Sequence, residues 1–239
     1  RPLWRFVEQW PQAARRSAST VVVGAGAAGI ELALALQASA KAQGGAARVT
    51  VVGDTRVIAA GLARQARIRL HRLCVARGIS LELGARVARV TNGTVELENG
   101  TVLAAHTIVW ATGPAPQAWL RDTGLALDER GYLSIDQHLR VGSRAEVYAA
   151  GDVASIVGHP RPKAGVYAVR EAPLLVENLR RALHGQDPRT YIPQRRALAL
   201  IGTADGRAVA AYGPLSAQGA WVWRWKDSID RRFVQRYRY

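Results

Sequence analysis

Val21-Val22-Val23-Gly24-Ala25-Gly26-Ala27-Ala28-Gly29-Ile30-Glu31-Leu32-Ala33 is the stretch on which the fold turns. Thr20 to Gly24 is β-branched and reads as a buried strand; Ala27 to Gln43, rich in Ala and Leu, reads as a helix stopped by Gly44-Gly45. Between them stands G-x-G-x-x-G. Gly24 permits the tight turn, Gly26 lets the backbone approach a pyrophosphate, and Gly29 lets helix and strand pack closely. The helix N-terminus presents partial positive charge and free N–H groups to a diphosphate. Alone the motif is weak, and a glycine-rich turn in an ordinary α/β domain is the plain alternative. Its place between a strand and a helix gives it weight. Arg48 to Gly53 follows as a second buried strand, so the three elements make a β-α-β unit with parallel strands and a right-handed crossover.

The second strand runs Val51-Val52-Gly53-Asp54-Thr55-Arg56. An NAD site wants an acid at the strand end, where a carboxylate accepts from the ribose 2′-OH. Gly53 holds that position and Asp54 comes one place late. Asp54 leans the choice toward NADH, or is a plain turn residue; Arg56 and Arg64 could instead meet a 2′-phosphate. Two shorter signals lie downstream, each after a buried strand. Ile108-Val109-Trp110-Ala111-Thr112-Gly113 is weak alone. Glu146-Val147-Tyr148-Ala149-Ala150-Gly151-Asp152 is stronger: an Asp at such a strand end binds a sugar or ribityl hydroxyl, or else caps a helix or closes an Asx-turn.

The remaining pattern predicts a helix over Arg64 to Arg77 and a strand over Ile79 to Leu83. A β-meander is expected around Asn92-Gly93 and Asn99-Gly100, and a strand over Thr107 to Ala111. Strands follow at Gly131 to Leu133 and Val147 to Ala150. Tyr167 to Leu183 reads as a helix bent at Pro173. Two strands after Ala197 lead to a final helix, Trp221 to Arg236.

The chain has 239 residues, room for one large domain or two modest ones. Its net charge is +15, and ten Lys or Arg against three Asp fall between Arg189 and Tyr239. Such a surface attracts anions, whether nucleotide phosphate, anionic lipid or nucleic acid, or is simply the solvated bias of an Ala/Arg-rich chain. The single cysteine, Cys74, excludes an internal disulfide or a redox-active cysteine pair and is expected in the core. His71, His106, His138, His159 and His184 are scattered, none at metal-ligand spacing, so no metal site is expected. No nucleophile elbow is present. With no bilayer-length apolar run and no signal-peptide pattern, the expectation is a cytoplasmic protein. There is no Met, not even at position 1, which suggests a fragment or a processed product.

The motifs at 21–33, 110–113 and 148–152, taken in that order, resemble the FAD-dependent pyridine-nucleotide oxidoreductases, most of all the type II NADH dehydrogenase group. Gly165-Val166-Tyr167-Ala168-Val169-Arg170-Glu171-Ala172-Pro173, leading to Glu177-Asn178-Leu179, is similar to the flavoprotein module that some bacteria fuse ahead of selenide, water dikinase. So is Gly219-Ala220-Trp221-Val222-Trp223-Arg224-Trp225-Lys226. The resemblance implies an α/β fold with FAD and NAD(P)H as cofactors. Residues 1–19 would be a connecting arm. Residues 20–106 would form a Rossmann-like NAD(P)H-binding domain inserted in an FAD-binding domain, here incomplete, whose C-terminal part is 107–184. A small α+β domain would close the chain over 185–239.

It further implies that Gly24, Gly26 and Gly29 hold the dinucleotide pyrophosphate and that Glu31 lies near the nicotinamide end. Thr112, Gly113 and Gly151 would border cofactor, Asp152 would bind the ribityl chain, and Lys163, Ala164 and Gly165 would approach the isoalloxazine ring. The first glycine loop of such proteins, which holds the adenosine half of FAD, is absent from the sequence, so the chain is expected to be a C-terminal piece. Hydride transfer from nicotinamide to flavin needs no side-chain acid or base, so no catalytic residue is named.

The electron acceptor is left open among quinone, oxygen, and a selenium or sulfur species passed to a kinase. On the last helix Val222, Trp225, Ile229 and Phe233 share one face, with Lys226, Arg231, Arg232 and Arg236 around it. That face would meet a membrane surface near the quinone, making the protein peripheral at the cytoplasmic membrane, or dock on its own domain. The competing classes are a non-catalytic dinucleotide-binding module and a nucleic-acid-binding protein. Only charge suggests the latter and the glycine loop gives it no support, so no nucleic-acid partner is expected.

Overall fold

The computed structural model describes Phe6, Glu8, Trp10, Pro11, Ala14 and residues 19–45 and 48–238. The connecting arm expected over 1–19 thus lies largely outside the described residues. The chain forms two compact units: Arg1–Thr112 with Leu198–Tyr239, and Gly113–Ala197.

The first unit opens with β1 (Thr20–Val23), α1 (Ala27–Ala42), β2 (Val49–Gly53), α2 (Arg64–Ala76) and β3 (Ser80–Leu83), the alternation the sequence predicts. β1 runs parallel to β2 in the register Val21↔Thr50, and β2 runs parallel to β3. Then comes the expected meander, β4 (Val87–Thr91), β5 (Thr94–Leu97) and β6 (Val102–Ala104). β7 (Thr107–Trp110) closes this stretch and pairs parallel with β1, giving a sheet of order β3-β2-β1-β7.

Valines recur without polar alternation in β1 and β2 because both faces of this sheet are covered. Val22 and Val51 pack under α1 and α2, with Ile30, Leu34 and Leu70. Val21, Val23 and Val52 pack on the other side with Val95 and Leu97 of the meander. Each such buried side chain contributes roughly 1.5–3 kcal/mol relative to exposure. Cys74 is buried on α2, and burial pushes its thiol up to about 11.

The second unit holds β8 (Leu133–Ile135), β9 (Arg140–Val141), β10 (Arg144–Tyr148), β11 (Ala154–Ile156) and α3 (Gly165–Leu183), which contains Pro173. Its sheet order is β10-β9-β8-β11. β9 and β11 were not foreseen; at two and three residues they carry no periodicity to read. Asn178 of α3 is fully buried. Its amide donates to the carbonyls of His138 (3.0 Å) and Arg189 (2.9 Å) and accepts from the Arg189 N–H (2.7 Å).

The chain then returns to the first unit through β12 (Ala199–Gly202), β13 (Ala208–Tyr212), β14 (Leu215–Gly219) and α4 (Ala220–Arg236).

Two boundaries differ from the sequence expectation. β7 does not open a new domain at residue 107: it is the edge strand of the β1 sheet, and Ile108 packs against the core of Val21, Val23 and Val52. Residues 185–239 do not form a domain of their own. The stretch to Ala197 belongs to the second unit, and Ile201, Val209 and Ala211 join the same core as Ile30, Leu34 and Leu70. Three strands precede the last helix, not two, because Gly213 turns the chain back with a φ of 52° and β14 pairs antiparallel with β13. Among the described residues, no helix is long and apolar enough to cross a membrane.

Candidate functional site

In the first unit the three glycines of the turn meet different surroundings. A Cβ on Gly24, whose φ is 122°, would stand 2.3 Å from the Ala111 carbonyl oxygen and 2.9 Å from the Thr112 nitrogen. A Cβ on Gly29 would lie 1.8 Å from the Gly24 oxygen. Gly24 and Gly29 are therefore fixed by the packing of strand, turn and helix upon one another. Gly26 is the exception: a Cβ there would meet no described atom within 4 Å. It stands at the N-cap of α1 with no capping side chain and no acid in the first turn. Open space before an uncapped helix N-terminus is a cradle that suits a diphosphate. The dinucleotide fits this turn, with Gly26 as the point of approach.

The end of β2 lies beside the same turn. A Cβ on Gly53 would come 2.5 Å from the Cβ of Ala25, so the place where a ribose-reading acid is expected admits no side chain. Asp54 follows it, exposed, with its carboxylate 3.7 Å from the Arg86 guanidinium. Between two solvated groups such a contact contributes little.

The Glu31 side chain reaches from α1 to the last stretch of the chain. Its carboxylate accepts from the Gly202 N–H at 2.8 Å and stands 3.8 Å from the Lys226 ammonium. It thus ties α1 to β12 and α4. Lys226 also pairs with Asp230 at 2.8 Å. The return of 198–239 to this unit sets this backbone donor and this cation beside α1.

The last helix docks only in part. Val222 is fully buried against Ala208 and Ala210, whereas Trp225, Ile229 and Phe233, expected on the same face, stay exposed.

In the second unit Gly151 and Asp152 begin a single helical turn after β10. Gly151 has φ 75°, and its N–H donates to the Glu171 carboxylate at 2.6 Å. Glu171 is buried, so one charged group on α3 holds the Gly-Asp loop. Asp152 itself is exposed, its carboxylate open to a hydroxyl. A cleft of about 30 Å³, room for a water, runs past Asp152, Ser155, His159, Lys163 and Tyr167.

Ala164 and Gly165 lie exposed at the N-terminus of α3, and a Cβ on Gly165 would meet no described atom within 4 Å. Lys163 is turned inward: its ammonium donates to the Ala154 carbonyl and sits 4.0 Å from the centre of the Tyr132 ring. Burial holds its pKa below the usual lysine range, with nearby Asp128 opposing. The Tyr132 hydroxyl donates to the Pro114 carbonyl at 2.6 Å. The exposed Asp152, the open Gly165 and the anchored loop fit the polar side of a flavin.

Thr112 closes the first unit, its nitrogen against the glycine turn, and Gly113 opens the second; both are exposed. Glu171 and Tyr132 were not singled out from sequence. Glu171 stands within the quoted stretch at 165–173, and an acid in the middle of an amphipathic helix was the only signal that could have marked it.

A parallel β-α-β fold with a glycine turn open at one position defines a dinucleotide-binding protein. The sequence profile of the pyridine nucleotide-disulphide oxidoreductases matches residues 5–172, and the chain belongs to that family. An NADH dehydrogenase-like protein of Mycobacterium tuberculosis is 33% identical over 144 residues, covering 58% of this chain and 36% of the relative. The nitric oxide reductase FlRd-NAD(+) reductase of Vibrio vulnificus is 32% identical over 184 residues, 74% of this chain and 44% of the relative. The chain thus spans less than half the length of either.

Among solved structures, a ferredoxin reductase of Rhodopseudomonas palustris superposes with a TM-score of 0.68 at 19% identity, over 87% of this chain and 49% of that one. An NAD-dependent persulfide reductase of A. fulgidus gives 0.67 at 22%, over 88% and 38%. These establish the Rossmann-like fold. FAD and NAD(P)H are the cofactors that family membership implies.

Proposed function

We propose that this chain works within an FAD-dependent NAD(P)H oxidoreductase of the NADH dehydrogenase-like kind. The observation that carries this is the turn in which Gly24 and Gly29 are locked by packing while Gly26 alone faces open space. When bound, the two cofactors supply the chemistry: a hydride passes from nicotinamide to flavin, and electrons go on to an acceptor. The protein binds and orients. The Gly26 backbone and the α1 N-terminus take the diphosphate of NAD(P)H. The Asp152 carboxylate accepts from a ribityl hydroxyl, and the uncapped N-terminus of α3 offers partial positive charge to the flavin. Glu171 keeps Gly151 in its left-handed conformation, which aims Asp152 outward.

The acceptor in this proposal is a small molecule, with quinone the leading candidate and a selenium species handed to a selenide, water dikinase the alternative. Trp221, Trp225 and Phe233, all exposed beside Arg224, Arg231 and Arg232, support peripheral contact of 221–236 with an anionic membrane.

The test is the visible spectrum of the 239-residue chain purified with added FAD, followed by NADH or NADPH without oxygen. A retained flavin band that bleaches is the expected result. A colourless protein that still binds dinucleotide would assign the chain to non-catalytic nucleotide binding instead.

A further inference from the structure

Beside the glycine turn lies a pocket of about 380 Å³, lined by Arg56, Arg64, Arg67, His71 and Arg72 over an apolar floor that includes Ile58 and Leu83. Its volume falls within the range of small-ligand sites. The loop after β2 is pinned to the turn, because the Ala59 N–H donates to the Ala25 carbonyl at 2.7 Å. Leu83, the last residue of β3, packs toward Gly53 at the end of β2. The pocket therefore stands where a dinucleotide laid along the turn places its adenosine ribose, outside the carboxyl ends of the parallel strands.

Its charge is one-sided. Four arginines and a histidine line it, and no acid does. Among the described residues none of these arginines makes an ion pair with a carboxylate, whereas Arg77, Arg89 and Arg181 elsewhere each do. The Arg67 Nε is buried without a hydrogen-bond partner among the described residues. A buried donor left unsatisfied is costly. Helix α2, which carries four of the five basic groups, begins without a capping side chain and without an acid in its first turn.

The feature that would read an unphosphorylated ribose is missing. Position 53 admits no side chain, because of Ala25, and the Asp54 carboxylate is drawn toward Arg86. The lean toward NADH that Asp54 alone suggests thus has no side chain at the strand end to support it. We propose that Arg56, Arg64, Arg67, His71 and Arg72 form a recognition pocket for the 2′-phosphate of NADPH, so that this half-site selects NADPH over NADH. This deepens the reading of the glycine turn as a dinucleotide site and rests on it. Guanidinium groups suit the role because their fixed fork of donors matches a phosphate.

Calorimetric titration of the 239-residue chain with NADP⁺, NAD⁺, 2′-AMP and inorganic phosphate tests it without any turnover. NADP⁺ is expected to bind about 100-fold more tightly than NAD⁺, the effect of two charge-assisted hydrogen bonds. The preference should shrink as salt is added. The double variant Arg56→Gln/Arg64→Gln, at two exposed positions, should bring the two affinities to within about threefold by weakening NADP⁺. Equal affinities in the natural chain, or a ratio unchanged in the variant, would overturn the assignment and leave the dinucleotide site standing. So would 2′-AMP binding no better than phosphate, which would reduce the pocket to a bare anion site. Binding of neither dinucleotide would remove the glycine-turn reading together with this one.

Discussion

The two glycine-bearing loops of this protein are held in opposite ways. The turn at 24–29 is backbone against backbone: Gly24 lies on the Ala111 carbonyl and Gly29 on the Gly24 carbonyl, with no side chain intervening. The loop at 151–152 is held by one side chain, the buried carboxylate of Glu171, reaching from a helix twenty residues on. A turn closed by Gly24 and Gly29 announces itself in sequence, since no side chain fits at either place. A loop held from afar does not, because its anchor looks like any other glutamate.

Substitutions at the two loops sharpen that contrast. Gly24→Ala should have the largest effect, about 4 kcal/mol of lost stability, from the clash with Ala111 added to backbone strain at φ 122°. Chemical denaturation would measure it; a midpoint near that of the natural chain would mean the turn is not closed as described. Glu171→Ala should cost about 2 kcal/mol by leaving the Gly151 N–H without its charged acceptor, and Glu171→Gln should recover much of this. If Gln does no better than Ala, the hydrogen bond is not what holds the loop.

Glu31→Ala should cost about 1 kcal/mol, with more rapid hydrogen exchange at the Gly202 amide as its local signature. Loss of hydride transfer with stability and exchange unchanged would mean that Glu31 serves the nicotinamide end and not the tie to Gly202. Gly26→Ala should change stability least, by under about 0.5 kcal/mol, because its Cβ enters open space at an ordinary φ of −69°. Dinucleotide affinity should nevertheless fall about tenfold. Unfolding curves and calorimetry on the same sample would separate the two effects, and an unchanged affinity would deny Gly26 its role.

The parallel strands, α1, α2 and the meander were legible because hydrophobic period and turn residues are local signals. The edge position of β7 was not: Thr107–Trp110 reads as a buried strand wherever it pairs, and its partner is β1, far back in the chain. The same limit hid the return of 198–239, for nothing in Ile201 or Val209 names Ile30 and Leu34 as neighbours. Within the candidate site the glycines and Asp152 were visible as types in order. Arg56 and Arg64 were visible as charges, but Arg67, His71 and Arg72 became part of one pocket only when α2 was set over Leu83. Gly53 was noticed as an oddity, and its cause, the Cβ of Ala25, is a contact across two strands' ends.

The split of the first unit around 113–197 bears on how the protein is made. A ribosome releases β1 to β7 early, but the strands that complete their core, with Ile201, Val209 and Ala211, emerge only after the whole second unit has passed. The second unit, by contrast, is contiguous in sequence. Until β12 to β14 arrive, the faces of α1 and α2 that they cover stay open, so this unit has need of chaperone protection for as long as 113–197 takes to emerge.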